Sequence, residues 1–174
     1  LRMPWPCANC LKNKRFLLTF TRDQLTADDL SKQLQSNITF LGNPFMDPLL
    51  TPSIAKQKSN RRLGLLPGSR RPELDNNLLL ILDLMQYICS TALKNGEIIF
   101  DIALVNALDD QGLEKLALKA GWTLQLALNG QSDKQLVRGR YRLNVRRDSF
   151  VEVLHNSDVL ICMAGTAAEQ AVGL

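Results

Sequence analysis

The chain has 174 residues, 45% of them hydrophobic and 22% charged, with a formal net charge of +4 and a pI near 9.0, which is an ordinary globular composition. No apolar run reaches the length of a membrane span and no signal peptide is visible, and the four cysteines suit a reducing cytoplasm better than a disulfide framework. Basic residues fall in small clusters, at Arg61-Arg62, Arg70-Arg71 and Arg138 to Arg147, with few aromatics among them. This argues against a nucleic-acid surface and for a small phosphorylated ligand.

Residues 1 to 15 hold Pro4, Pro6, Cys7, Cys10 and a basic cluster, show no period, and read as loop. The lone Cys7-Ala8-Asn9-Cys10 lacks a second ligand pair, which makes a poor zinc site, and lacks the strand-helix setting of a redox motif. No metal site is expected. Phe16 to Phe20 reads as a strand, Thr26-Ala27-Asp28-Asp29 opens a helix running to about Gln35, and Ile38 to Leu41 reads as a second strand closed by Gly42-Asn43-Pro44. The polar stretch 48–60, rich in Pro, Ser, Lys and Gln, reads as a linker. It divides the tail of one domain, 1–47, from most of a second, 61–174. The chain starts at Leu1 and stops at Leu174 inside a helical pattern, as a piece of a longer protein would.

The second domain alternates strand and helix. Strands are expected at 63–66, 98–105, 122–128, about 141–145 and 158–163. Helices are expected from Pro72 and Glu73 to Ala92, from Asp110 to Ala120 with Gly121 as its stop, after Asp148 with Phe150, Val151 and Leu154 inward, and after Gly165. Lys134 to Arg146 reads as a basic stretch after an Asn129-Gly130 turn. This rhythm predicts an α/β fold with a doubly wound, Rossmann-like parallel sheet, whose ligands sit at the carboxyl ends of the strands.

Residues 62–73, Arg-Leu-Gly-Leu-Leu-Pro-Gly-Ser-Arg-Arg-Pro-Glu, are the most informative. A buried strand runs into a turn and then into a helix whose apolar residues, Leu74, Leu78, Ile81, Leu82, Met85, Ile88 and Cys89, recur over roughly five turns. The free N–H groups and positive dipole end of that helix face the turn, and Arg70 and Arg71 add charge, so the turn is suited to phosphate. An ordinary solvated strand-to-helix turn fits the same residues. Gly165 and Thr166 repeat the arrangement after the last strand, where Thr166-x-x-Glu169 also reads as a capping box. His155 reads as a solvated or capping side chain.

Three motifs stand in order: Gly42-Asn43-Pro44-Phe45-Met46-Asp47, Leu66-Pro67-Gly68-Ser69-Arg70-Arg71-Pro72-Glu73, and Met163-Ala164-Gly165-Thr166-Ala167-Ala168-Glu169-Gln170. Together they resemble the lipid-A-disaccharide synthase family, and most closely its related proteins of oxygenic phototrophs, over residues 16–174. The resemblance implies a glycosyltransferase of the GT-B type, a hexosyltransferase with its cleft between two Rossmann-like domains. Its C-terminal domain would hold a UDP-sugar donor, and the acceptor would be a lipid or saccharide. Gly68, Ser69 and Arg70 match the turn beside the donor phosphates. Gly165 and Thr166 match the second diphosphate-facing loop, Glu169 the acid near the ribose hydroxyls, and Asn43 and Asp47 the hinge. No cofactor beyond the donor is implied, and the location would be cytoplasmic or peripheral at an inner membrane. The family's catalytic base lies in the N-terminal domain, nearly all of which is outside this sequence, so the fragment is expected to be inactive alone. Ala164 stands where the synthases usually carry Ser. A UDP-sugar epimerase of similar architecture and a non-catalytic nucleotide-sugar-binding relative share these motifs.

Overall fold

A computed structural model describes residues 4–43, 46, 61–91, 98–127, 134–163 and 165–172. The expected linker, Asp47 and the Asn129-Gly130 turn lie outside the described residues. The chain divides into two compact units, 1–50 and 51–174.

In the first unit, helix α1 (Trp5–Leu11) occupies a stretch that reads as loop in the sequence. Pro4 at the cap position and Pro6 in the first turn are compatible with a helix because their missing N–H groups have no intrahelical partner there. Strand β1 (Thr19–Phe20) is shorter than expected, helix α2 spans Gln24–Leu34, and strand β2 (Ile38–Thr39) pairs parallel with β1. The cap of α2 is Asp23 and not Thr26: the Asp23 carboxylate accepts from the Thr26 amide at 2.7 Å and from its hydroxyl at 2.8 Å. Ala27, Leu30, Leu34 and Ile38 form a small core, onto which Ala8 and Leu11 of α1 pack.

The second unit is a six-stranded sheet with helices. Its elements in order are β3 (Arg61–Leu66), α3 (Glu73–Thr91), β4 (Ile98–Leu104), α4 (Asp110–Lys119), β5 (Thr123–Leu126), β6 (Lys134–Arg138), β7 (Tyr141–Arg147), α5 (Phe150–Asn156), β8 (Val159–Cys162) and α6 (Gly165–Val172). The sheet order is β5-β6-β7-β4-β3-β8. It is α/β and mixed, where the sequence predicts a wholly parallel sheet, because β6 runs antiparallel to both neighbours. The basic stretch after residue 134 is the hairpin β6-β7, turned at Gly139 with φ +57°.

Side chains alternate across a sheet, which places Leu63, Leu65, Phe100, Ile102, Leu143 and Val145 on one face with the buried stripe of α3 and with Leu113, Leu116 and Trp122. The opposite face meets α5, which packs on β3, β4 and β7. Gly64 makes that approach feasible, since a Cβ there would lie 2.3 Å from Ser157 Oγ and 2.6 Å from Leu160 Cδ2. The same face carries a polar row at matched register, Gln135, Asn144 and Asp101, all buried. Gln135 donates to Asn144 at 2.7 Å and Asn144 to Asp101 at 3.0 Å, while Arg62 and Arg146 reach the Asp101 carboxylate at 2.9 and 3.2 Å.

Asp148 does not cap α5. It has φ +52°, the cap position is Ser149, and Val153 and Leu154 are the buried residues of that helix. His155, in the last turn of α5, is half-buried, and its Nε2 is buried without a hydrogen-bond partner among the described residues. Among the described residues no helix is long and apolar enough to cross a membrane.

Candidate functional site

The chain leaves β3 through α3 to pair β4 on one side, passes through α4 to the edge strand β5, steps back inward through β6 to β7, and crosses through α5 to pair β8 on the other side of β3. The reversal in strand order therefore falls between β3 and β8. A crevice outside the carboxyl ends of two such strands is where open α/β sheets bind ligands. β3 and β8 run in parallel register, Leu63 to Leu66 against Val159 to Cys162, and the Met163 amide donates to the Leu66 carbonyl at 2.9 Å. The Pro67-Gly68-Ser69 turn, Met163 and the start of α6 at Gly165 consequently emerge together.

A cleft of about 680 Å³ opens there, lined by Gly68, Ser69, Arg70, Gly165 and Thr166 among others. Five of the six residues matched to a donor site thus meet at one place. Glu169, half-buried one turn into α6, is not among the lining residues. α6 is already helical at Gly165, which puts Thr166 inside its first turn and not at the cap position that a Thr166-x-x-Glu169 capping box requires. Asn43, which the resemblance matches to a hinge, is in the first unit, where its carbonyl accepts from the Met46 amide at 2.9 Å.

Gly68 takes φ +108°, which a residue with a Cβ rarely adopts, and lets the chain turn from β3 toward α3. The Arg70 carbonyl accepts from the Leu74 amide at 2.8 Å, and the Arg71–Pro72 peptide is cis. The two arginines have different roles. Arg71 is held by Asp75 through Nε to Oδ1 at 2.9 Å and Nη2 to Oδ2 at 2.7 Å, and these bonds raise further a pKa that is already high. Arg71 is not a cleft residue. Arg70 is exposed at the cleft and makes no ion pair among the described residues. At Gly165 a Cβ would meet nothing within 4 Å, so the backbone at the start of α6 is open to the cleft.

Residues outside the motifs complete the site. Ala103, Leu104 and Val105 at the end of β4, with Phe150 and Val151 of α5, form an apolar wall. Asp148 lies in the cleft with its Oδ2 accepting from Asn106 at 2.7 Å, and Glu73 lies at the start of α3. With two acids present the cleft has no broad positive field: its cationic contributions are the Arg70 guanidinium and the positive end of the α3 dipole, while the Leu74, Asp75 and Asn76 amides already donate to the Arg70 and Pro72 carbonyls. Among the described residues no group of three or more His, Cys, Asp and Glu could hold a metal ion.

Asn77, one turn into α3, ties the two loops together: its Nδ2 donates to the Pro67 carbonyl at 2.9 Å and to the Met163 carbonyl at 3.3 Å. Nothing in its sequence surroundings marks it, because its second partner is 86 residues away. Asn77→Asp sets a carboxylate against two carbonyl oxygens and is expected to lower stability by about 1–3 kcal/mol. Asn77→Leu, which only removes the donor, should cost less. Urea unfolding of the two variants side by side checks the order; equal midpoints would mean that the amide does not hold the loops.

Comparison of the chain with protein-family models, with curated proteins and with solved structures returned no match.

Proposed function

We propose that residues 61–174 form the donor-binding part of a UDP-sugar-dependent glycosyltransferase of the GT-B type, related to the lipid-A-disaccharide synthases, with a lipid or saccharide acceptor. The observation that carries this reading is the convergence of two strand-turn-helix corners on one cleft at the reversal of strand order, with Arg70 at its edge in no ion pair among the described residues. Two adjacent phosphates fit such a place: one helix N-terminus and the Arg70 guanidinium serve the first, and the open backbone at Gly165 serves the second. Neither a Walker-A loop nor a GxGxxG turn is present, which favours a UDP-sugar over ATP or NAD. The apolar wall from β4 and α5 offers room beside the diphosphate for the rest of the donor.

Calorimetric titration of the 174-residue chain tests the reading. UDP should bind more tightly than ADP or NAD, and Arg70→Ala should weaken UDP binding by about 1.5–3 kcal/mol, the worth of a charge-assisted hydrogen bond. Equal UDP affinity in both proteins would remove Arg70 from the site, and equal binding of all three nucleotides would overturn the donor assignment. In a longer protein that includes an N-terminal domain, UDP binding without turnover would point to a non-catalytic relative, and an epimerised donor to an epimerase.

A further inference from the structure

The sequence offers Cys7-x-x-Cys10 without a structural setting; the structure supplies one. Both cysteines lie on α1, three residues apart and therefore on one face. The stripe of α1 that packs onto the core of the first unit is Ala8 and Leu11, and the adjacent stripe, Cys7 and Cys10, is exposed. Exposure is unusual for cysteine, which behaves as a small apolar residue and is among the most buried types. Cys89 follows that rule: it is buried on the core-facing side of α3, and burial pushes its thiol pKa up.

We propose that Cys7 and Cys10 form a reversible dithiol–disulfide pair that exchanges with low-molecular-weight disulfides. Their spacing permits closure at some strain: side chains three apart on a helix have Cβ atoms about 5–6 Å apart, and a disulfide needs about 3.5–4.5 Å. Strained and exposed disulfides are the easily reduced ones, which makes this pair a switchable bond and not a structural staple. A zinc site is the weaker use of the same thiols, since two sulfurs leave a tetrahedral ion two ligands short and no third His, Cys, Asp or Glu joins them among the described residues. In the exchange, the Cys7 thiolate attacks one sulfur of the small disulfide and releases one thiol. The Cys10 thiolate then attacks the Cys7 sulfur and releases the second. The pair loses two electrons and two protons, and the small disulfide gains both as two thiols.

The test is equilibration of the 174-residue chain with graded ratios of reduced to oxidised glutathione, followed by alkylation and mass spectrometry of the tryptic peptide that spans residues 3–12. As the ratio becomes oxidising, both alkylation sites should disappear together with the loss of two hydrogens and no added glutathione, and dithiothreitol should restore them. Cys10→Ser should instead accumulate glutathione on Cys7. Independent glutathione adducts on Cys7 and Cys10 in the wild-type chain, or two free thiols at the most oxidising ratio, would overturn the proposal. Cys89 in the same digest reports whether the fold has stayed closed.

Discussion

Asp101→Ala is expected to lower the free energy of unfolding by about 3–5 kcal/mol, the cost of removing one member of a buried ionic network. Asp101 is 3% exposed in the middle of the sheet, and its carboxylate is the common acceptor for Arg62, Arg146 and Asn144. Without it, two guanidiniums face each other across β3, β4 and β7, and the Asn144 amide loses its acceptor. The arginine side chains keep 25% and 19% of their exposure, so water can reach them in part and the loss belongs near the lower figure. Urea denaturation with an unchanged slope measures it. A loss below about 1 kcal/mol would give the network the worth of a surface ion pair.

Trp122→Ala should cost about 3–5 kcal/mol, as large-to-small changes of a buried aromatic do. Trp122 follows the end of α4, where its amide donates to the Ala117 carbonyl at 2.9 Å, and its ring is 1% exposed among α3, α4 and the sheet. The indole N–H reaches the Leu82 carbonyl at 3.3 Å, a long bond, so packing supplies most of the effect. Trp122→Phe, which keeps much of the volume, should recover more than half of the loss in a thermal melt. If the two variants melt together, the ring fills no space that matters.

The elements that can be read in the sequence are those in which burial and periodicity agree. Leu63 to Leu66 and Ile98 to Leu104 are nearly continuous apolar runs because they are central strands covered on both faces, and α3 shows its buried stripe at helical spacing. β6 cannot be read the same way. Its buried Gln135 faces Asn144 and Asp101, so the position that would mark a strand by an apolar residue carries an amide, and the basic residues around it suggest a loop. One reversed strand hidden in this way is the difference between a parallel and a mixed sheet. α1 is hidden by its two prolines and its short docking stripe. At the site, the glycine turns are visible because conformation and dipole demand local residue types. Asn77 and Asp148 act across distances in the chain that no local pattern encodes, and Thr166-Glu169 has a capping pattern while α6 begins one residue earlier.

The position of β8 carries a consequence for binding. Among the described strands it has one neighbour, β3, and α6, which follows it, buries no residue among those described. In the 174-residue chain an element with so few buried contacts is expected to open before the central strands, with amides that exchange with solvent ahead of those of β3 and β4. Five of the nineteen residues that line the cleft, Met163, Gly165, Thr166, Ala167 and Gln170, follow β8. Any ligand that touches both turns must therefore hold β8 closed. Part of its intrinsic affinity is spent on suppressing the open form, and the apparent dissociation constant rises as the closed fraction falls.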